Sequence, residues 1–229
     1  MKKRSCLGSL FTNIFLAALI IGLYYATQPD SGIIPASAPV YRGREGVALQ
    51  FAVSWNAAAL SDIMDTLKEE DVRATFAVSG EWAEQNPDIL CQMAADGHEI
   101  ATMGYLPGMD GGAGWVRRDL ERALVVIRDI CGESPRLYYG GSRSARASSG
   151  AAKKLGLTQV YCTVDLLSAR GEAEDILSRL PEQPIEGSII LLQPTAACSE
   201  ALPGILAALE QKGIKASCTG KVLGLDQKN

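Results

Sequence analysis

The chain has 229 residues, of which 47% are hydrophobic and 21% charged, with a net charge of −4. That is enough for one globular domain with a sizeable core and a short appendage. The acidic balance argues against a nucleic-acid partner, which requires a basic face, and no block of like charge or internal repeat occurs. Enzyme, binding module and scaffold all remain open at this level.

Lys2, Lys3 and Arg4 precede an uncharged stretch from Ser5 to Gln28. Its apolar part, Leu7 to Ala26, has about the 20 residues that a helix needs to cross a bilayer. The basic start favours a cytoplasmic N-terminus, and Tyr24 and Tyr25 fall where an interfacial aromatic belt belongs. A cleavable signal peptide is the rival reading. The pattern Ala36-Ser37-Ala38 imitates a cleavage site, but it lies far from the apolar run and Pro39 follows it. Cys6 precedes the apolar run, which does not suit a lipoprotein. Residues 1–28 are therefore expected to form a retained single-pass anchor, one transmembrane helix that leaves the C-terminal domain outside the cytoplasm. Residues 29–45, with Pro29, Gly32, Pro35 and Pro39, read as a linker, and residues 46–225 as the globular domain.

In that domain short apolar runs alternate with amphipathic stretches. Val47 to Val53 reads as a buried strand. Ala59 to Glu70 places Leu60, Ile63, Met64 and Leu67 on one helical face. Ala74 to Val78 is the next strand, with Gly80 after it. A helix around Asp88 to Asp96 ends at Gly97, and His98 to Thr102 is a further strand. Arg117 to Ile130 is a helix closed by Gly132. Short strands follow at Arg136–Tyr139, Val160–Val164 and Ser188–Leu192. A helix from Ser199 to Lys212 stops at Gly213, and Ile214 to Cys218 ends the series. Such alternation implies a parallel sheet, open or closed into a barrel. In these folds chemistry sits on loops leaving the C-terminal strand ends.

Beyond Cys6 the cysteines are Cys91, Cys131, Cys162, Cys198 and Cys218, an odd set. No C-x-x-C spacing supports a thiolate zinc site or a thioredoxin-like site. They read as small buried hydrophobes or as holding one disulfide, with Cys91–Cys131 or Cys198–Cys218 as candidates. Sequence does not fix the connectivity.

Val47-Ala-Leu-Gln-Phe51, Val72-Arg-Ala-Thr-Phe-Ala-Val-Ser-Gly80, Gly97-His-Glu-Ile100, Gly187-Ser-Ile-Ile-Leu-Leu192 and Leu209-Glu-Gln-Lys-Gly213 follow one another at spacings that resemble the polysaccharide deacetylase (NodB-homology) family. The resemblance covers about Gly46 to Leu223. It implies a distorted (β/α) barrel and removal of acetyl groups from glycans such as peptidoglycan or chitin. It also implies a divalent metal held by one Asp and two His, with an Asp base and a His acid. The metal polarises the carbonyl and lowers the pKa of its water, and a carboxylate takes the proton.

Those groups do not appear at the matching positions. Ala52 and Val53 stand where the family's aspartate pair belongs. Met103 and Pro107 stand at the ligand histidines, and Gln193 at the acidic histidine. The motif that orients the base is recast as Tyr138-Tyr-Gly-Gly-Ser-Arg143. Asp165 survives from a later motif, whose following Asp-Trp becomes Ser168-Ala169. The chain contains a single histidine, and His98 matches a family position that is not a ligand; it reads as a structural residue at a strand start. No metal, cofactor or catalytic residue is therefore assigned. A serine triad would need His98 near Ser54 or Ser142, but it lies at the wrong end of its strand. A carboxylate-only site would draw on Asp110 and Asp165, a thin set. Gly108 to Gly112 lacks the Lys-Ser/Thr of a P-loop and reads as a loop.

The strand ends instead present Trp55, Tyr105, Tyr139 (or its neighbour Tyr138), Arg143, Asp165 and Gln193, a set that suits sugar rings, with C–H faces on aromatics and hydroxyls on polar groups. The competing reading is that the aromatics plug the space a metal site would occupy. Arg117, Arg118, Asp119, Glu121 and Arg122 read as a solvated helix face, and Ser142 to Arg146 as an exposed, weakly basic loop. The expected function is a catalytically inactive, membrane-anchored deacetylase-like protein acting in glycan or peptidoglycan binding or in envelope or spore assembly. The alternatives are an active deacetylase with a rearranged site, and a structural protein-interaction module.

Overall fold

Seven consecutive buried residues, Val47–Val53, form β1 at the centre of the sheet. A strand buried on both faces reads as a near-continuous apolar run, broken here by Gln50 alone, which is why this element is plain in the sequence. The computed structural model describes residues 16, 17, 19, 38–55, 58–109, 111–143, 145–182 and 186–225. The expected anchor, residues 1–28, lies outside the described residues except for Leu16, Ala17 and Leu19, which are helical. Among the described residues no helix is long and apolar enough to cross a membrane. The chain divides into two compact units, Met1–Ala38 and Pro39–Asn229, and the second holds the sheet.

β2 (Thr75–Val78) and β7 (Ser188–Leu192) flank β1, with Phe51 level with Phe76 on one side and Leu192 on the other. β3 (Glu99–Thr102), β4 (Leu137–Tyr139) and β5 (Thr158–Val160) continue past β2, and β6 (Val164–Asp165) lies beyond β7. These pairings are parallel. β8 (Ala216–Ser217) pairs with Val47 and Ala48, below the part of β1 that β2 occupies. The result is a curled parallel sheet, an incompletely closed (β/α) barrel.

The stretch expected as one strand over 160–164 is split between β5 and β6, which lie at opposite ends of the strand order. Tyr161 to Thr163 therefore cross the seam of the barrel. Val40 to Arg42, expected in the linker, are built into that seam. Val40 bridges to Val160, Arg42 bridges to Ser188, and the Thr163 hydroxyl donates to the Tyr41 carbonyl at 2.6 Å.

α1 (Leu60–Glu69) buries Leu60, Ile63, Met64 and Leu67, as its spacing predicts. α2 (Gly80–Gln85) was not expected; Ser79 caps it by accepting from the Trp82 N–H at 3.1 Å. α3 (Pro87–Ala95) starts on Pro87. α4 (Ala113–Cys131) begins four residues before the expected Arg117 and ends at left-handed Gly132, φ 83°. α5 (Ala145–Lys154) begins inside the stretch Ser142 to Arg146 that was expected as an exposed loop, and α6 (Ala173–Ser178) lies where no element was expected. α7 (Ala196–Glu210) starts three residues early because Thr195 caps it. α8 (Thr219–Val222) packs against the start of β1, where Val222, Ala48 and Ile189 form a small cluster. The main core, between the sheet and its helices, includes Phe51 stacked on Phe76 with centroids 5.1 Å apart.

Candidate functional site

Alternation along the strands assigns the two faces of the sheet. Val47, Leu49, Phe51 and Val53 belong to the main core, whereas Ala52 belongs to the inner cluster. Ala52, Ala77 and Ala101 lie in register across β1, β2 and β3. Beside this alanine row the inner face is filled by Met103, Leu137, Tyr139, Val160 and Leu191, with Val40, Tyr161, Leu223 and Leu225 packed on them. The mouth of the barrel is therefore floored with hydrocarbon. Burial pushes the Tyr139 phenol up, with Cys162 and Asp165 adding to the shift, so it stays a neutral hydroxyl. Tyr138, next in the chain, turns the other way and is sealed beneath α4 and α5.

Six side chains were expected at the strand ends, and they separate into two groups. Tyr105, Tyr139 and Arg143, on the β3 and β4 side, are buried, Tyr139 in the inner cluster and the other two against the helices. Tyr105 is buried, donates to Glu84 at 2.7 Å and lies under Arg122, whose guanidinium carbon is 3.4 Å from the ring centre. Tyr139 meets Tyr161 edge to face at 6.1 Å. Arg143 is 4% exposed and ion-paired with Asp119 at 2.7 Å. The remaining three, Trp55, Gln193 and Asp165, leave the adjacent strands β1, β7 and β6 on the side open to solvent. Trp55 is 65% exposed, Asp165 is exposed and Gln193 is half-buried.

Two charged residues correct the expectations. Asp119 was placed on a solvated face, yet it is 7% exposed and accepts from the Tyr105 and Leu106 N–H groups at 3.0 and 2.8 Å. Arg143 was placed in an exposed basic loop, yet it donates to the carbonyls of Met103, Leu106 and Met109 as well as to Asp119. Burial of such a pair is tolerated only when the remaining donors and acceptors are met. Gly104, φ 88°, makes room for it, because a Cβ there would lie 2.2 Å from Asp119 Oδ2 and 2.5 Å from Arg143 Nη1. The periodicity could have revealed Asp119, since it shares a helical face with Val116, Leu120, Ala123 and Ile127.

Sequence reasoning also passed over Leu167 and Met109, large apolar residues exposed at the strand-end loops. Leu167 has φ 47°, a conformation disfavoured outside glycine. The loop holds it there: Asp165 Oδ1 accepts from the Leu167 N–H at 2.8 Å, and Arg179 donates to the carbonyls of Leu166, Leu167 and Arg170. Ser168, the residue in place of the family's Asp, staples this loop to β7 by accepting from Gln193 N–H at 2.6 Å and donating to its carbonyl.

His98 precedes β3, at the end of the strand remote from the mouth. Its Nδ1 accepts from the Ala74 N–H at 3.3 Å, and burial, with Arg73 nearby, pushes its pKa down to about 4. A neutral, buried imidazole at the foot of the barrel takes no part in a mouth-level triad.

The family model for polysaccharide deacetylases matches residues 41–160. The chain belongs to the polysaccharide deacetylase family. It is 28% identical over 184 residues to the Bacillus subtilis protein YlxY, covering 76% of this chain and 57% of that protein; it thus spans a little over half of that relative. It is 32% identical over 181 residues to a chitooligosaccharide deacetylase of Sinorhizobium fredii, covering 74% of this chain and 77% of the enzyme. A CE4 family pseudoenzyme from Bacillus anthracis superposes with a TM-score of 0.76 at 26% identity, covering 82% of this chain and 69% of that one. A mutant of that pseudoenzyme has restored enzymatic activity.

The divalent metal that the deacetylase family implies does not fit the residues present. Hard or borderline cations take carboxylate and imidazole donors, and Ala52, Val53 and Met103 offer none of these. Val53 moreover faces the main core and is fully buried. Among the described residues no group of three or more His, Cys, Asp or Glu is placed to hold a metal ion.

Proposed function

We propose that this chain is a polysaccharide-deacetylase fold that binds glycan without removing acetyl groups, held at the outer face of a membrane by residues 1–28. One observation carries the reading. The inner face at the strand ends, where an Asp base and a metal-bound water would have to stand, is a buried cluster of Ala52, Met103 and Leu191 beside the neutral phenol of Tyr139. Hydrocarbon there can neither ionise a water nor accept its proton. Trp55, Gln193 and Asp165 remain as the ligand-facing set. An exposed indole offers a face for sugar C–H groups, and the carboxylate and amide offer partners for hydroxyl or acetamido groups. The chitooligosaccharide deacetylase relative supports a glycan with N-acetylated sugars as the ligand class. The basic start and apolar run of residues 2–26 support the membrane location.

The test uses the full chain in detergent with N-acetylglucosamine oligomers and peptidoglycan fragments, with and without added zinc. Binding without acetate release, weakened at least about tenfold by Trp55→Ala, is the expected result; tenfold is the size of one lost stacking contact. Zinc-dependent release of acetate would establish the active-deacetylase alternative. Absence of binding to any of these glycans would leave the interaction-module alternative.

A further inference from the structure

A groove lies away from the mouth, between α3, the end of α4 and the start of β3, with a volume of about 600 Å³. Cys91, Cys131 and Cys218 all line it, and none of the described cysteines is in a disulfide. Two of these thiols converge on one turn of backbone. Cys91 donates to the carbonyl of Ile130 at 3.3 Å, and Cys131 donates to the carbonyl of Ile127 at 3.1 Å. Peptide geometry fixes the Ile130 oxygen about 3 Å from the Cα of Cys131, so the Cys91 sulfur lies within roughly 6 Å of that Cα. A disulfide places its two sulfurs about 2.05 Å apart, so the Cys91 side chain has to turn toward Cys131 to form one.

The surroundings favour closing the remaining distance. Cys91 is exposed and Cys131 half-buried, so both are open to a thiol reagent. Cys131 is the last residue of α4, next to left-handed Gly132, where a small rotation breaks no interior helix bond. The other sequence candidate, Cys198–Cys218, is split between core and surface: Cys198, in α7, is fully buried in the main core, and Cys218 faces the groove.

We propose that Cys91 and Cys131 are a cross-link site, joined as a disulfide by exchange with a low-molecular-weight disulfide. The exposed Cys91, as thiolate, attacks oxidised glutathione, forming a mixed disulfide and releasing one glutathione thiol. Cys131 thiolate then attacks the Cys91 sulfur, forming the internal S–S bond and releasing the second. Two cysteine thiols are oxidised and one glutathione disulfide is reduced to two thiols. The bridge ties α3 to the end of α4 and closes a loop that contains β3 and the Gly104–Leu106 turn gripped by Asp119.

The full chain is incubated with oxidised or reduced glutathione and digested, and its cross-linked peptides are mapped by mass. The expected result is a Cys91–Cys131 peptide in the native chain and in Cys218→Ser, lost in Cys91→Ser and in Cys131→Ser. The oxidised chain should melt about 5–10 °C higher than the reduced one, the shift expected for a bridge across a long loop in a domain of this size. Persistence of both thiols, glutathione retained on Cys91, or a bridge from Cys91 to Cys218 would each overturn the assignment.

Discussion

Arg143 and Asp119 meet at 2.7 Å with their side chains 1% and 4% exposed, and the turn after β3 is bonded to both of them. Asp119 comes from α4, Arg143 from the loop after β4, and their other bonds go to the backbone of Met103 to Met109. In the deacetylase family the loop after β3 is expected to be fixed by a metal. Here a buried ion pair fixes it.

Removing one member leaves a charge in a dry site. Arg143→Met should therefore destabilise the chain by about 3–5 kcal/mol. The double variant Arg143→Met/Asp119→Leu should recover only part of this, because the Tyr105 and Leu106 N–H groups lose their acceptor. Urea unfolding checks both. A loss below about 1 kcal/mol for Arg143→Met would mean that water reaches the pair.

His98 makes stability depend on pH. Its folded pKa, about 4, lies below the ordinary imidazole value of 6.5, so between those values the unfolded chain binds a proton that the native chain does not. Stability rises with pH across this window. It is fully present above 6.5 and is lost as pH falls through 4. Over the whole window the contribution is about 3 kcal/mol. The denaturation midpoint of His98→Gln should fall less steeply with acidification between pH 6.5 and 4; an unchanged slope would place the proton elsewhere.

The elements that packing makes continuous were legible in the sequence, and those that local capping makes were not. β1, β2 and β7 are mainly apolar runs, with only Gln50, Thr75 and Ser188 polar, because they are buried on both faces. α2 depends on one Ser79 cap, and α5 has a Ser- and Gly-rich sequence that takes its helical form while packing against α4. At the site, Ala52, Met103 and Gln193 were readable as missing donors, since absence of a side-chain group needs no coordinates. The burial of Tyr105 and Arg143 was not. Strand-end position says which end a residue occupies, but the partners that draw it inside, Glu84 and Asp119, are far away in the chain.

Leu167 carries local strain that glycine would relieve. An L-residue in the left-handed region costs about 1–2 kcal/mol, and Leu167 is exposed, with little packing to lose. The greater freedom of an unfolded glycine returns about 0.5–1 kcal/mol of this. Leu167→Gly should thus stabilise the chain by a few tenths to about 1 kcal/mol, measured by thermal unfolding. If glycan binding weakens at the same time, the strained leucine is held outward for the ligand; if stability falls, the loop rather than the side chain sets the conformation.

Restoring the family's ligand types tests whether the site is only stripped of donors or has been repacked. Val53 lies in the main core at 0% exposure, on the opposite face from Ala52 and Met103. An aspartate at position 53 would therefore be buried among Phe51, Val78 and Trp82, away from a histidine at position 103. Val53→Asp should cost about 3 kcal/mol or more. In Val53→Asp/Met103→His/Pro107→His zinc should recover none of that loss, although a metal bound to the native state at a hundred times its Kd would add about 2.7 kcal/mol. Ala52→Asp, 7% exposed at the strand end, should cost less than Val53→Asp. The measurement is the urea midpoint with and without zinc. A zinc-dependent rise in the triple variant would put position 53 on the inner face and show that the mouth keeps a metal-ready backbone. No rise would mean that the two faces of β1 have been committed to packing.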